Sequence, residues 1–365
     1  MQLTKESRAA KKASGVKYRC DVASAAGALK DGPNEEVACK FDQLALFYEK
    51  SKVPNAWFRV KGYRTAAGAL RNAGRAIDTY EDAVKLPGVG EKTAMKLLEI
   101  VQTGKSTHLE CKTARDRVEE LLTGIYGVGP TKAKEWYDAG IRTLEDVKDS
   151  KKFGISLTAA QELGLKYFDD INERIPRAEV ARHFQKIQRA ALSIDHYLIV
   201  ECMGSFRRGQ PDCGDIDIIV TRSTDDGKDH SGLVQRLVET LFAQGVISHT
   251  LSNPEDWKSL DAKWMGLLLG ENSKMRRIDI LGVPYDELGA ALIYFTGNDI
   301  FNRSLRLKAR HMGLSLNQRG LFKDVIRDRK TGLKFTAGER IASRTEQEIF
   351  ERLGTKWRPP NERLP

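Results

Sequence analysis

The chain has 365 residues, with 60 Lys or Arg against 50 Asp or Glu, which gives a formal net charge of +10 and a pI near 9.2. This length allows two or more domains, no apolar run of about 18 residues predicts a membrane span, and no secretory signal opens the chain. The positive charge suits a polyanionic partner such as nucleic acid, although many basic proteins bind none.

The cysteines and histidines form no recognisable framework. The five cysteines are scattered and odd in number, which favours reduced thiols in an intracellular protein over disulfides. The six histidines do not cluster with them, so a zinc site is not expected. The cysteines are Cys20, Cys39, Cys111, Cys202 and Cys213.

The first 33 residues are rich in Lys, Ala, Ser and Gly and lack an amphipathic period, which predicts a flexible basic tail. Residues 34–108 show apolar residues at helical spacing, for example Phe41, Leu44 and Tyr48, and predict a helical domain. Residues 109–176 predict a second helical segment.

Two short glycine turns punctuate these helical segments. The first contains Gly88 and Gly90, the second contains Gly127 and Gly129, and each leads into a predicted helix. N–H groups at a helix N-terminus attract phosphate. One such turn is weak evidence, but two copies in a basic chain predict helix-hairpin-helix motifs that hold a DNA backbone without reading bases.

The pattern changes after residue 176. A helix is predicted over residues 178–192 and another over 233–244, with strands at 197–202, 216–221, 246–251 and 277–281. This alternation predicts an α+β catalytic domain over 177–283, built on a mixed sheet with mostly antiparallel strands. Residues 284–365 predict a small α/β subdomain.

Asp215 and Asp217 lie on one of these strands, where residues two apart share a face. Two fixed carboxylates repel each other, and such a pair usually holds a divalent cation. Upstream, Gly204 and Ser205 offer N–H groups and a hydroxyl to a phosphate, and two arginines follow. A bare Asp-x-Asp is more often a solvated strand end, so the combination carries the prediction.

A third carboxylate, Asp279, is flanked by apolar residues on another short strand. A buried aspartate paired with Arg277 is a fair alternative interpretation. Taken with the first strand, it predicts three acids able to hold two Mg²⁺ ions for nucleotidyl transfer.

Several motifs in a fixed order resemble the family X DNA polymerases. The resemblance runs from about residue 35 to the end and is strongest to the lambda-type branch, including its fungal members, with the beta-type branch next. The motifs are GSFRRG at 204–209, CGDIDI at 213–218, RRIDI at 276–280, YFTG at 294–297 and FNRSLR at 301–306.

The resemblance implies roles for the catalytic residues. Asp215 and Asp217 would bind both metals, and Asp279 would bind the catalytic metal and lie nearest the primer hydroxyl. Residues implied to bind the nucleotide are Arg174, Ser205, Arg208, Gly214, Tyr294, Phe295, Gly297, Asp299 and Asn302. Residues implied to contact DNA are Arg59, Tyr63, Gly88, Gly90, Lys92, Gly127, Gly129, Arg277, Arg303 and Arg306.

Tyr294 and Phe295 are the most diagnostic pair after the acids. In the family they leave no room for a 2′-hydroxyl, and template-independent members have Gly-Trp there. An aromatic pair at a helix end is otherwise usually core packing. Residues 252–274, which vary among relatives, leave some untemplated activity open.

The resemblance also implies a 5′-deoxyribose phosphate lyase, with Lys96 as the Schiff-base nucleophile and Lys92 one turn earlier on the same face. A lysine on a helix is usually just solvated. Arg59 stands where some relatives have lysine, which leaves the activity open.

The leading hypothesis is a monomeric, nuclear, gap-filling DNA polymerase of base excision repair and non-homologous end joining. Its implied partners are gapped or broken double-stranded DNA with a 5′-phosphate, a dNTP, and repair proteins. Two Mg²⁺ are implied, with Mn²⁺ as a substitute and Na⁺ or K⁺ at the hairpins. The alternatives are a template-independent or end-bridging nucleotidyltransferase, an RNA-tailing enzyme, and a non-catalytic DNA-end-binding protein. No BRCT-like or phosphoesterase segment is predicted.

Overall fold

The computed structural model describes residues 18–21, 33–50, 56–104, 114–326, 328 and 334–363. The chain divides into two compact units. The helical unit comprises residues 25–123 and 130–143, and the larger unit comprises residues 1–24, 124–129 and 144–365. Within the described ranges, no helix is both long and apolar enough to cross a bilayer.

In the helical unit, the helices between residues 35 and 103 pack around one apolar core. Phe41, Leu44, Leu70 and Leu97 are fully buried in this core, because apolar residues recur on one face of each helix. Its helices are α1 (Glu35–Lys50), α2 (Ala56–Asn72), α3 (Tyr80–Val84), α4 (Glu91–Thr103), α5 (Ala114–Thr123) and α6 (Pro130–Asp138).

The larger unit combines helices with three sheets, as the predicted α+β class requires. Its helices are α7 (Leu144–Lys148), α8 (Ala159–Lys166), α9 (Phe168–Asn172), α10 (Arg177–Ile194), α11 (Gly204–Arg207), α12 (Leu233–Ala243), α13 (Leu288–Thr296), α14 (Asp299–His311) and α15 (Glu346–Arg352). Its strands are β1 (Ile175–Pro176), β2 (Leu198–Cys202), β3 (Asp212–Cys213), β4 (Ile216–Arg222), β5 (Ile247–Ser252), β6 (Lys263–Leu269), β7 (Met275–Gly282), β8 (Ser315–Asn317), β9 (Gly320–Lys323) and β10 (Glu339–Ala342).

The central sheet has the strand order β2-β4-β7-β6-β5. Its neighbours are antiparallel except for β4 and β7, which run parallel, so the predicted mixed sheet with mostly antiparallel strands is confirmed. Residues alternate between the two faces of a strand. Ile216, Ile218 and Val220 therefore share a core with α10 and α12, whereas Asp217 and Ile219 point to the opposite face.

Strand β6 was not predicted, because residues 252–274 were interpreted as a connection of variable length. The strand is a nearly continuous apolar run, and Trp264, Leu267 and Leu268 are fully buried. A strand that is covered on both faces lacks the alternation that marks a half-buried strand.

The C-terminal subdomain, residues 288–363, packs α13, α14 and α15 against the small sheet β10-β9-β8. The segment Arg19–Asp21 lies on this subdomain as a single helical turn, and Tyr18 and Cys20 are buried in its core. The prediction of a flexible tail over residues 1–33 is therefore wrong for Tyr18 to Asp21. Residues 1–17 and 22–32 lie outside the described residues.

Candidate active site

Two aspartates meet at the centre of the five-stranded sheet. Asp217 on β4 and Asp279 on β7 are direct register partners on neighbouring parallel strands, so they occupy the same face. Asp279 is 7% exposed, and its Oδ1 is buried without a hydrogen-bond partner. Burial and the nearby charges of Asp215 and Asp279 raise the pKa of Asp217 to about 7.

Basic side chains offset part of this negative charge. Arg277 donates to Asp215, whereas the alternative interpretation paired it with Asp279. Lys263 Nζ lies 3.5 Å from Asp279 Oδ2. Lys263 was missed because it belongs to the unpredicted strand β6. In the part of the chain that the structure describes, no three His, Cys, Asp or Glu side chains converge as a metal-binding group.

The residues present nevertheless fit a hard divalent cation. An unpaired buried carboxylate oxygen on Asp279 and two neighbouring carboxylates with raised pKa values are the donor chemistry that Mg²⁺ takes. Burial is the largest cause of the raised pKa of Asp279 as well, and Lys263 and Arg277 oppose it. A cation would relieve the repulsion that remains.

The Gly-Ser turn lies directly against Asp217. Gly204 has φ +55°, and a Cβ atom built on it would lie 2.3 Å from Asp217 Oδ2. The N–H of Met203 donates to the carbonyl oxygen of Asp217 at 2.8 Å. The short helix α11 then begins at Gly204 and carries Ser205. Only glycine lets this turn approach the aspartate so closely.

Arg208 and Arg174 flank this turn in different environments. Arg208 Nη1 donates to the carbonyl oxygen of Thr296 at 2.6 Å, while its buried Nε has no partner. Burial lowers the pKa of Arg208. Arg174 is more open and forms an ion pair with Asp212 at 2.6 Å. Its Nη1 lies 3.2 Å from where a Cβ on Gly214 would be, so this glycine makes room for the guanidinium.

The predicted aromatic pair ends helix α13. The rings of Tyr294 and Phe295 meet edge to face at 4.9 Å, and Tyr294 is 38% exposed. The guanidinium of Arg306 lies 5.0 Å from the Tyr294 ring centroid. Asn302 Nδ2 donates to the carbonyl oxygen of Tyr294 at 2.7 Å. These four residues thus form one continuous surface on α13 and α14.

The turn between α13 and α14 holds the remaining predicted nucleotide contacts. Gly297 has φ +67°, and a Cβ there would lie 3.3 Å from Arg208 Nη1. The side chain of Asn298 accepts from the N–H of Phe301 and so caps α14. Asp299 and Arg303 are exposed on the first turns of that helix.

A buried ion network, which the sequence did not reveal, supports this turn. Glu346 is 4% exposed and accepts from Arg207 at 2.9 Å and from Arg363 at 2.7 Å. Arg207 also donates to the hydroxyl of Thr296. Arg207 therefore links α11, the helix that carries Ser205, to the C-terminal subdomain.

The predicted lyase residues lie together in the helical unit. Lys96 Nζ contacts Glu99 Oε2 at 2.8 Å, and the lysine side chain is only 15% exposed. Burial is the main cause of the raised pKa of Tyr63, and the charge of Glu99 adds to it. Arg59 lies over the Tyr48 ring at 4.8 Å. Glu99 was not predicted as a site residue, although it lies three positions after Lys96 on the same helix.

Each glycine turn leads into a helix, as predicted. Gly88 and Gly127 have φ near +75° and +78°. Gly90 is the N-cap of α4 and makes no side-chain cap hydrogen bond, and Lys92 is exposed on the first turn. Gly129 immediately precedes α6. The second turn is held by Gln161, whose Nε2 donates to the carbonyl oxygen of Gly127 at 2.9 Å.

Four family descriptions match successive parts of the chain. They are a helix-hairpin-helix domain over residues 32–106, the fingers domain of DNA polymerase lambda over 120–172, the DNA polymerase beta palm over 174–285 and the DNA polymerase beta thumb over 291–364.

Two curated relatives are similar along most of the chain. One is DNA polymerase lambda of Rattus norvegicus, 36% identical over 332 residues, which cover 90% of this chain and 56% of that protein. The other is DNA polymerase lambda of Arabidopsis thaliana, 37% identical over 309 residues, which cover 82% of this chain and 57% of that protein. The chain thus spans little more than half the length of these relatives.

Proposed function

Because the chain belongs to the X family of DNA polymerases, we propose that it is a template-directed DNA polymerase that fills short gaps in DNA repair. Base excision repair and non-homologous end joining are the pathways proposed. The observation that carries this proposal is the register of Asp217 against Asp279, with the Gly204 turn packed on the same carboxylate.

The reaction joins a primer 3′-hydroxyl to the α-phosphorus of a dNTP and releases pyrophosphate. Asp215, Asp217 and Asp279 would hold two Mg²⁺, or Mn²⁺, which supply Lewis acidity and charge neutralisation when bound. Asp279 Oδ1 is buried, unpaired and made more basic by burial, so it is suited to accept the proton of the 3′-hydroxyl.

The remaining residues would bind and orient the nucleotide. Ser205 and Arg208 would hold the β- and γ-phosphates, and Arg174 would reach the same triphosphate by leaving Asp212. The surface of Tyr294 and Phe295 would lie under the sugar and exclude a 2′-hydroxyl. Asn302 would face the edge of the base. The tight packing of Gly204 and Gly214 supports these roles, because each glycine admits its neighbour closely.

Single-nucleotide incorporation tests this proposal on a one-nucleotide gap, with and without a 5′-phosphate, and on a single-stranded primer. We expect templated filling that is faster with the 5′-phosphate. Asp279→Asn should abolish incorporation and leave affinity for gapped DNA nearly unchanged. Glu201→Gln is the matched control, because Glu201 is exposed on β2 of the same sheet. Full activity in Asp279→Asn would contradict the assignment.

A second candidate activity, the 5′-deoxyribose phosphate lyase, is favoured by the position of Lys96. Its amine would attack the sugar aldehyde and lose water to form an imine. Loss of a C2′ proton would then break the C3′–O bond and release the downstream DNA strand with its 5′-phosphate. Glu99 Oε2 lies 2.8 Å from the Lys96 amine, and in this proposal it receives the protons that are released.

Borohydride trapping on DNA with a 5′-deoxyribose phosphate tests the lyase. The native chain should become covalently linked to the DNA, and Lys96→Ala should not. Lys85→Ala is the control, because Lys85 is exposed at the end of α3, in the same helical unit. Equal trapping of the two variants would assign the nucleophile elsewhere while leaving the polymerase proposal intact.

The partners follow from the same proposal. Gapped or broken DNA carrying a 5′-phosphate would be held by the turns at Gly88–Gly90 and Gly127–Gly129, with Na⁺ or K⁺ bound there. Lys92, Arg277, Arg303 and Arg306 would add contacts to the DNA. We also propose nuclear localisation, a monomeric state and association with repair proteins, in keeping with the named relatives.

A further inference from the structure

A cavity of about 640 Å³ lies on the larger unit, where α10 meets the turn after α12 and the end of β6. Helices α10 and α12 cover the sheet face that holds Ile216 and Ile218, and Asp217 points to the other face. The cavity is therefore built by the reverse face of the sheet, and the active-site residues do not contribute to its lining.

His183 is the polar group buried in this cavity. Its side chain is 4% exposed, and neither Nδ1 nor Nε2 has a hydrogen-bond partner in the protein. Burial lowers the pKa of His183, and the charge of Lys186 adds to this effect, so the ring is neutral at pH 7. A neutral imidazole carries one donor and one acceptor, and buried polar groups normally find partners.

Positive charge surrounds the same opening. Lys186 and Arg189 are exposed on α10 and line the cavity with His183. Within the described ranges neither forms an ion pair, and Arg189 Nε donates to the carbonyl oxygen of Gln185 on its own helix. The acids near the ring are neutralised by other arginines: Glu179 binds Arg276 at 2.9 Å and Glu271 binds Arg182 at 2.5 Å.

The C-terminal end of helix α12 would repel a bound anion, because its last carbonyl groups carry partial negative charge. This repulsion is weakened, because the carbonyl oxygens of Leu241 and Phe242 accept hydrogen bonds from the N–H groups of Val246 and Gly245. The side chains of Val246 and Leu269 add an apolar floor to the cavity. The lining thus combines two free cations, an unsatisfied imidazole and an apolar surface.

We propose that this cavity binds a phosphomonoester with an apolar or planar organic group. Lys186 and Arg189 donate to the phosphate oxygens, the ring of His183 forms part of the wall, and Val246 and Leu269 contact the organic part. Charge-assisted hydrogen bonds give the phosphate its affinity, and the apolar floor distinguishes an ester from the free ion.

The test uses adenosine monophosphate and inorganic phosphate as separate probes, without divalent metal, on the full chain labelled with ¹³C in its six histidines. Assigned by His183→Gln, the ring signal of His183 reports binding at the cavity and not at the active site. We expect the signal to shift on titration, with adenosine monophosphate binding several-fold more tightly than phosphate.

The double variant Lys186→Ala/Arg189→Ala should weaken binding by about tenfold or more, because two charged donors are lost. Arg236→Ala is the control, since Arg236 is exposed on the neighbouring helix α12 and should leave the affinity unchanged. An unmoved His183 signal, or a shift that survives in the double variant, overturns the proposal. Equal affinity for the two probes overturns the assignment of an organic ester.

Discussion

Gly204 shows how one missing side chain shapes the active site. The Gly-Ser turn can lie on Asp217 only because nothing occupies the space in which a Cβ would sit 2.3 Å from Oδ2. The contact ties the proposed phosphate-binding turn to a carboxylate of the adjacent strand. The effect of this close contact can be separated from the effect of backbone strain. Another glycine in the larger unit, Gly227, also has a positive φ but has no atom within 4 Å of its ideal Cβ position.

Gly204→Ala should lower nucleotide incorporation on the order of a hundredfold, since an ångström-scale displacement of reacting groups has that effect. Gly227→Ala is the matched control: Gly227 has φ +76° and nothing within 4 Å of its ideal Cβ. It should lose about 1 kcal/mol of stability through left-handed strain and keep its activity. Equal losses of activity in both variants would refute the steric explanation.

Asp217 illustrates the cost of holding acids together. Its raised pKa, near 7, means that the ionised form is disfavoured when no cation is bound. At pH 8 without metal, Asp217→Asn should therefore raise the free energy of unfolding by about 1 kcal/mol or more, while removing polymerase activity. Denaturant unfolding measures this, with Glu201→Gln as control, and a less stable Asp217→Asn would contradict it.

At the scale of elements, the contact between α11 and the C-terminal subdomain depends on Glu346. Burial alone would raise the pKa of this carboxyl, but Arg207 and Arg363 outweigh burial and lower it. A lowered pKa means that the stabilisation is present above the ordinary value near 4.5 and is lost as pH falls through the folded-state pKa.

Glu346→Gln should destabilise the protein by about 3 kcal/mol at pH 7, because the buried Arg363 and the half-buried Arg207 lose their charged partner. The difference from the native chain should shrink as the pH falls below the ordinary carboxyl pKa near 4.5 and through the lowered folded-state pKa, because Glu346 itself becomes protonated. Thermal unfolding at several pH values measures this. Glu351→Gln, exposed on the same helix, should show little change, and a difference independent of pH would exclude the ion network as the cause.

The sequence predicted those elements whose pattern is local. Asp217 and Asp279 could be found because each stands among apolar residues on a short strand. Strand β6 could not, because its run from Trp264 to Leu269 carries no alternation, and Lys263 was missed with it. The buried ion network of Glu346 could not be predicted either. A glutamate on an amphipathic helix is ordinarily solvated, and the arginine partners of Glu346 are distant in sequence.

At the scale of the whole molecule, the N-terminal segment belongs to the C-terminal subdomain. Lys308 is 8% exposed and donates to Asp21 at 2.7 Å and to Thr355 at 2.6 Å. The hydroxyl of Tyr18 pairs with Nδ1 of His311, which lies 293 positions further along the chain. A segment as short as Tyr18 to Asp21 shows no helical or strand periodicity. Its partners are also too distant along the chain to be predicted from the sequence.

Asp21→Ala should loosen this segment, because it removes the anionic partner of a buried lysine. Cys20 is fully buried and Cys39 is exposed, so a thiol reagent followed by mass spectrometry can compare them. Labelling of Cys20 should accelerate about tenfold or more over the native chain, corresponding to a loss of 1.4 kcal/mol or more. Asp225→Ala should leave it unchanged, and an unaltered rate in Asp21→Ala would show that the segment is held by other contacts.

One contact of this segment also determines where the two ends of the described chain lie. Arg358 Nη2 donates to the carbonyl oxygen of Asp21 at 2.7 Å, so residues near both ends touch. A dye or a surface tether attached at Tyr18 would therefore be held at the C-terminal subdomain. A dye pair placed at the two ends would therefore report release of this segment, even though 337 positions separate the bonded residues.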